Sequence, residues 1–518
     1  MELHNAVKEH GSISAAARAL EIPRTTFKRM LEQERKDSFT SFIMPEPEKI
    51  EVSDQVQYFI LTYAQDKTEV HLPFWNNLVA YADYLDARIF VGGGTYSKKL
   101  FQEADPSVRS EDVWFADEID EFVVHDPIAL GDGLIFCAEM NTIPTATSPL
   151  SGLEAYTKDK WGIFPHAKVQ LRSIATMKNE PAKQIMTTGT VTLPNYIRKK
   201  AGIKAQFHHI IGAVIVSLAP DGAFFCRHII ADDEGSFYDL DRFVFNGEIT
   251  TGNRPEAIVH GDIHIEKVDP VVAKTSWSYS FDNYLSTESL TSVLRPKRRV
   301  FHDLIDFSAR NHHNIDDHHL RIESFYRGQD SVEQDLYKAV HFLNEIQDPE
   351  IEDFVIQSNH DNALVKWLKN PHVRYDPENY LFWLETETKY VKALIENRPV
   401  HLFREVLEGM GVRDTNLNWI REDEDSLRIL GVELGIHGHN GANGARGSAQ
   451  SFAKMGPKSI TGHVHAPSIT DGHMSVGTNS KMDMGYNKGL SSWAHANALL
   501  DPNGQRTIIT MSQGRWFD

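Results

Sequence analysis

Apolar and polar positions divide this chain into three blocks. The run from Val56 to Tyr63 is largely apolar and reads as a strand. From about Pro73 to Leu85 the apolar residues return at helical spacing. A further strand from Ala87 to Val91 then ends in Gly92, Gly93 and Gly94. Strand, helix and strand in this order predict an α/β domain over residues 53–250. Farther on, Ala257-Ile258-Val259 reads as a buried strand running into Asp262 and His264, and Phe354-Val355-Ile356 leads into Asn359. Strand ends are also expected before Asp303, His437 and His463, which makes residues 253–518 a second α/β block.

The first block, residues 1–40, is different: two short helical patterns flank Glu21-Ile22-Pro23, with apolar positions at Ala15, Ala16, Ala19, Leu20, Ile22, Phe27 and Leu31. Gly11 to Leu20 followed by Arg24 to Arg29 resembles the helix-turn-helix of bacterial regulators. The small Ala15 and Ala16 would let the helices approach closely. The resemblance implies that Arg24, Thr25, Thr26, Lys28 and Arg29 lie on an exposed second helix able to enter a major groove. The alternative is a helical hairpin used for packing or assembly. A polar segment containing Met44-Pro45-Glu46-Pro47-Glu48 reads as the linker to the second block.

Composition narrows the classes. At 518 residues, with 41% hydrophobic and 24% charged positions, the chain has the make-up of a globular protein of two or three domains. No apolar run is long enough for a membrane span, and the N-terminus lacks a secretory layout, so a cytoplasmic protein without membrane contact is expected. Cys137 and Cys226 are too few for a disulfide framework and are expected to be buried, reduced thiols. A net charge of -19 argues against a uniformly basic nucleic-acid coat. Ser151 to Lys204 reverses that balance, with ten Lys and Arg against three acidic residues. Its interleaved Gln170, Thr187, Thr188, Thr190, Thr192, Asn195 and Tyr196 are further candidate donors to phosphate oxygens, although a solvated face is an equal reading. Gly92 to Gly94 lack a following Gly-Lys-Ser/Thr and read as a simple turn, not as a phosphate loop.

The chemistry is concentrated in five stretches: Gly261-Asp262-Ile263-His264, His302-Asp303, Asn359-His360-Asp361, His437-Gly438-His439 and Gly462-His463-Val464-His465. Singly, each is a weak signal in a chain with 25 histidines. In this order, at the ends of strands, they supply carboxylate, amide and imidazole donors for a pair of divalent metals. Here residues 258–491 resemble the calcineurin-like metallophosphoesterase superfamily. That resemblance implies a four-layer α/β sandwich, two mixed sheets face to face with helices outside. It also implies that Asp262, His264, Asp303 and His465 hold one ion and that Asp303, Asn359, His437 and His463 hold the other. His360 would face the scissile phosphate, oriented by Asp361. The chain departs from the family pattern at His302 and Ser358, where glycines are usual. His439 is an alternative to His437.

Several neighbours are candidates for supporting roles. Asp306 fits an outer position behind a ligand imidazole. Arg310, Asn311, His312 and His313 either meet substrate or are structural. Arg295, Lys297, Arg298 and Arg299 either attract a polyanion or form a solvated helix end.

The expected reaction is hydrolysis of a phosphodiester by a bridging hydroxide between two ions, manganese by preference and iron or zinc as alternatives. The helix-turn-helix and the basic stretch point to DNA as partner, and hence to a DNA nuclease. The overall layout also resembles the DNA-transfer and host-DNA-degradation proteins of tailed bacteriophages, through Ala64 to His71 and Thr187 to Thr192. A homo-oligomer is possible on size grounds. The competing readings are a nucleotide or cyclic-nucleotide phosphodiesterase, and a DNA-binding regulator built on a non-catalytic scaffold.

Overall fold

The computed structural model describes all residues except 1–5, 7–9, 11–12, 31–45, 97–112, 179, 278–287, 312–316, 371–374, 414–415, 423 and 518. The chain forms two compact units, Met1–Pro47 and Glu48–Asp518.

In the first unit the helix Ile13–Ala19 is followed by a helix over residues 24–30. The turn between them passes through Glu21 in the left-handed region, and the Ile22 N–H returns to the Ala17 carbonyl. Ala6, Ala16, Ala17 and Phe27 form its small core. Ala17, not Ala19, is the buried alanine beside Ala16, and Ala19 faces solvent. Arg24, Thr25, Lys28 and Arg29 are exposed and Thr26 is half-buried. Leu31 lies outside the described residues.

The second unit is a mixed α/β structure with four sheets among the described residues. Near its start, the strands Gln57–Gln65 and Ala87–Gly94 pair in parallel, joined by the helix Leu72–Leu85. That helix carries Pro73 in its first turn, and the His71 ring accepts the Phe74 N–H. Its buried residues Phe74, Trp75, Leu78, Tyr81, Ala82 and Leu85 follow helical spacing and pack on Ile60, Val91 and Ile215. Gly92, Gly93 and Gly94 continue the strand and do not form a turn, paired with Tyr63, Ala64 and Gln65. A Cβ on Gly92 would lie 2.2 Å from Pro165, and one on Gly94 would lie 2.3 Å from the Tyr63 ring. The glycines are therefore there for close packing.

Six strands form the sheet that matters most for the candidate site. Ala257–Val259, Arg298–His302, Glu352–Ile356 and Leu417–Ile420 run parallel, with Ala496–Leu500 and Arg506–Thr510 antiparallel at one side. Along Arg298–His302 the side chains alternate as a pleated strand requires. Val300 faces a core that includes Leu134, Phe136, Ile460 and Met474 of an eleven-stranded sheet. Phe301 faces the other way, onto Leu336, Val340 and Leu343 of the helix Val332–Ile346. Each such buried aliphatic contributes roughly 1.5–3 kcal/mol.

The eleven-stranded sheet crosses the boundary between the second and third sequence blocks. Ser468–Thr470 pairs with His473–Ser475 on one side and with Leu171–Ile174 on the other. Much of the basic stretch is consumed in building this region. The hydroxyls of Thr187, Thr190 and Thr192 and the Gln170 amide are fully or nearly buried. Thr187 Oγ1 donates to the Lys168 carbonyl and Thr190 Oγ1 to that of Tyr63. Lys183 is 3% exposed, its ammonium donating to the carbonyls of Glu154 and Lys158. Lys168 pairs with Asp471 and Arg172 with Glu154. The buried groups are not available to phosphate, because strand pairing turned them inward; Arg172 is part-exposed in its ion pair, and Arg198, Lys199, Lys200 and Lys204 remain exposed.

Cys137 and Cys226 are buried and unpaired with each other. Among the described residues, no helix is long and apolar enough to cross a membrane.

Candidate metal centre

Parallel strands place their carboxyl ends along one edge, and the candidate ligands occupy that edge. Asp262 follows Ala257–Val259, Asp303 follows Arg298–His302, and Asn359 follows Glu352–Ile356. His437 follows Val432–Glu433 and His463 follows Lys458–Thr461, both from the facing sheet. Two layers thus meet over one cluster.

Asp262, His264, Asp303 and His465 form one buried group, and Asp303, His437 and the half-buried His463 form a second, with His264, Asp306 and His360 as a further buried group beside them; in each, one donor atom per residue lies within 4.8 Å of the others. Within the first, Asp262 Oδ2 is 2.9 Å from His465 Nε2, which is 3.2 Å from His264 Nε2, in turn 3.5 Å from Asp303 Oδ2. Within the second, His437 Nε2 is 3.3 Å from Asp303 Oδ2 and 3.1 Å from Asn359 Oδ1. Adjacent ligands about 2.1 Å from one ion stand roughly 3–3.4 Å apart, so these separations suit a shared cation. Asp303 belongs to both groups, and Asp262 Oδ1 and Asp303 Oδ1 lack hydrogen-bond donors among the described residues. Buried carboxylate oxygens without donors are costly unless a cation meets them. The donor set therefore fits divalent metal.

The backbone is bent to achieve this. His264, Asp303, His463 and His465 have φ of 46°, 43°, 71° and 55°, in the left-handed region that side chains other than glycine disfavour. Each costs on the order of 1 kcal/mol or more, and such strain collects at functional sites. Tight hydrogen bonds impose it: the His264 N–H donates to the Asp303 carbonyl at 2.7 Å, and the His463 N–H to Asp262 Oδ2 at 2.7 Å. Gly462 makes room for that carboxylate, since a Cβ there would lie 2.2 Å from Asp262 Oδ1.

Electrostatics follow from burial and mutual contact. Burial alone would raise the Asp303 carboxyl, but His437, His360 and His264 hold it well below the usual range. Burial likewise opposes protonation of His437, yet Asp303 outweighs it and holds the imidazole up at about 9. Burial pushes His463 down to about 3 and His264 well below the usual histidine value. His302 is fully buried and pushed down to about 3 by that burial, next to His437.

His360 and Asp361 occupy distinct places. The His360 Nδ1 lies 3.1 Å from the Asp306 carbonyl and 3.8 Å from Asp306 Oδ1, and its ring is 4.7 Å from that of His264. Asp361 Oδ2 accepts the Ser358 N–H, and the Asp361 N–H returns to Ser358 Oγ. Asp306, not Asp361, is the carboxylate against the His360 ring. The turn closed with Ser358 draws Asp361 into the interior, where burial and then Asp303 push its carboxyl up to about 7.

Asp306 is the hub of the outer layer. Its Oδ1 faces His264 Nδ1 at 3.7 Å, its Oδ2 lies 3.1 Å from Lys267 Nζ, and Ser308 Oγ and Asn311 Nδ2 donate to it. Glu266 accepts the backbone N–H groups of Asp306 and Phe307 and fixes their loop. Tyr486 reaches Asp306 Oδ1 at 3.5 Å, and the Trp493 ring lies 4.3 Å from that of His465. Glu266 and Lys267 stand two and three residues after His264, which is a usable sequence signal; Tyr486 and Trp493 carry none.

His439 stays beside the cluster, its ring 5.5 Å from that of His437 and 5.9 Å from that of His463, and the other flagged residues go elsewhere. His439 is held by Glu422 Oε2 at 3.0 Å. Arg310 forks between Asp330 and Asp376 in a buried triad. Arg295, Lys297, Arg298 and Arg299 pair with Glu350, Glu256, Glu352 and Asp353, so internal carboxylates absorb the charge that a polyanion would need. His312 and His313 lie outside the described residues.

The fold and its centre together define a mixed α/β protein with a buried histidine–aspartate cluster able to hold metal. Against known proteins, no family model matches and no solved structure matches. The chain is 34% identical over 472 residues to Protein A1 of Escherichia phage T5, covering 89% of this chain and 83% of that protein. It belongs to the same family as that phage protein.

Proposed function

We propose that this chain is a metal-dependent phosphodiesterase of phage or prophage origin that cleaves DNA in the host cytoplasm. One observation carries the reading: two groups of ligand-type side chains, buried except for the half-buried His463, joined through Asp303. Asp262, His264, Asp303 and His465 would hold one ion, and Asp303, Asn359, His437 and His463 the other. Divalent ions so bound, manganese by preference for oxygen and imidazole donors without thiolate, would polarise phosphoryl oxygens and lower the pKa of water. His360 lies at the centre's margin, where it can hold a proton for the leaving oxygen. Asp306 keeps that ring and the His264 ring in fixed orientation.

DNA as substrate is supported by the exposed Arg24, Thr25, Lys28 and Arg29 on the second helix of the N-terminal unit. The phage membership of the family agrees with a role in DNA degradation or transfer.

The test is incubation with manganese and either supercoiled plasmid or bis-p-nitrophenyl phosphate, with chelator controls. Chelator-sensitive hydrolysis of both is expected. Hydrolysis of the small ester with plasmid intact would move the reading to a nucleotide phosphodiesterase. Inertness toward both, with tight binding of a defined operator, would make the protein a regulator. Removing residues 1–40 is expected to weaken DNA association more than small-ester hydrolysis.

A further inference from the structure

The helix Tyr380–Ile395 is apolar on two opposite faces. One face, with Phe382, Trp383, Tyr390 and the buried Ala393, packs on the core of the second unit. The opposite face carries Leu381, Leu384, Thr388, Val391 and Ile395, spaced alternately three and four residues apart. That spacing makes a straight seam along the helix, the pattern by which one helix packs against another. All five are exposed, Leu381 at 69% and Ile395 at 80%, and no described residue covers the seam. A single surface leucine needs no explanation, but a four-turn apolar stripe opposite the buried face does.

We propose that the seam is the contact between two copies of this chain, which pack it antiparallel about a two-fold axis. The flanking charges are self-complementary in that arrangement. Glu385 lies toward the amino end and Lys392 toward the carboxyl end of the same flank, and neither has an ion-pair partner among the described residues. In a parallel pair the flank that carries Glu385 and Lys392 would lie on opposite sides of the seam in the two copies, so these two residues would not meet. Antiparallel packing sets Glu385 beside Lys392 of the second copy, twice by symmetry, and aligns the helix dipoles favourably. A seam of about 21 Å buries less than the roughly 800 Å² per partner of a standard interface, so a weak, reversible association is expected. The inference is independent of the reaction proposed above.

Sedimentation velocity of the full chain from about 0.1 to about 50 µM tests it. A monomer–dimer equilibrium is expected that Leu384→Glu or Val391→Glu abolishes. Glu385→Lys and Lys392→Glu should each weaken it several-fold, and the double exchange should restore it. All four variants alter exposed positions and should keep the parent circular dichroism and melting temperature. A monomer across the whole range, an assembly indifferent to the seam substitutions, or no rescue by the double exchange would overturn the proposal.

Discussion

Replacing Gly462 by alanine tests the architecture of the centre with one methyl group. The new Cβ would sit 2.2 Å from Asp262 Oδ1 and 3.0 Å from the His302 Cβ. A carbon–oxygen contact needs about 3.3 Å, so either the carboxylate or the loop must retreat by roughly 1 Å. Asp262 has little latitude: Oδ2 accepts the His463 N–H at 2.7 Å and lies 2.9 Å from His465 Nε2. Ligand distances tolerate only about 0.2 Å, so a displacement of that size removes Asp262 from any shared coordination sphere. Metal affinity should fall at least ~100-fold, and turnover of a small phosphodiester should fall by a similar factor, as misplacements near 1 Å commonly produce. Metal content by mass spectrometry after dialysis, turnover of bis-p-nitrophenyl phosphate and melting temperature are the readouts. Gly456→Ala is the control, because nothing lies within 4 Å of its added Cβ. Wild-type metal content in Gly462→Ala would refute the idea that Gly462 exists to admit the Asp262 carboxylate.

Four further outcomes are expected. Asp306→Asn should reduce metal affinity about 10- to 100-fold by releasing the His264 imidazole, measured by competition with a chelating dye. His360→Ala should retain metal yet lower turnover by roughly 10²-fold; loss of metal in that variant would make His360 a ligand. Arg299→Ala should lower unfolding free energy by about 3–5 kcal/mol in urea titrations, because it strands the buried Asp353 carboxylate. Burial pushes His166, His209, His228 and His473 down to about 4 from the ordinary 6.5. A depressed histidine pKa means the unfolded chain binds the proton first, so stability is full above pH 6.5 and is lost as pH falls toward 4. Each contributes on the order of 3 kcal/mol at most, and His228→Gln should flatten the melting temperature's pH dependence in that window.

The candidate centre was legible because its residues sit directly beyond short apolar strands, and strand ends are positions a sequence can mark. Ala257–Val259 and Glu352–Ile356 appear where the apolar runs fall, and they bring Asp262 and Asn359 to one edge. Hydrogen bonding of three-residue strands such as Ser468–Thr470 is not legible, since so few positions show no period. The same limit hid the pairing of Leu171–Ile174 with the C-terminal block. Thr187 and Thr190 looked like surface donors because hydroxyls usually are; backbone carbonyls from distant segments claimed them instead. Gly92 to Gly94 looked like a turn, and only the rings of Pro165 and Tyr63 show why a strand needs them. The resemblance implied Asp361 as the partner that orients His360, whereas the turn through Ser358 sends neighbouring side chains in different directions.

The pairing of Ser468–Thr470 with Leu171–Ile174 bears on how this protein can be inherited and engineered. His465 stands three residues before a strand whose outer edge is completed by chain almost three hundred positions earlier. A gene fragment beginning near residue 253 would therefore encode every histidine of the centre and yet leave that strand with an open, adhesive margin. Recombination cannot trade the C-terminal half as a ready-made cassette. Residues 48–518 have to travel through evolution together.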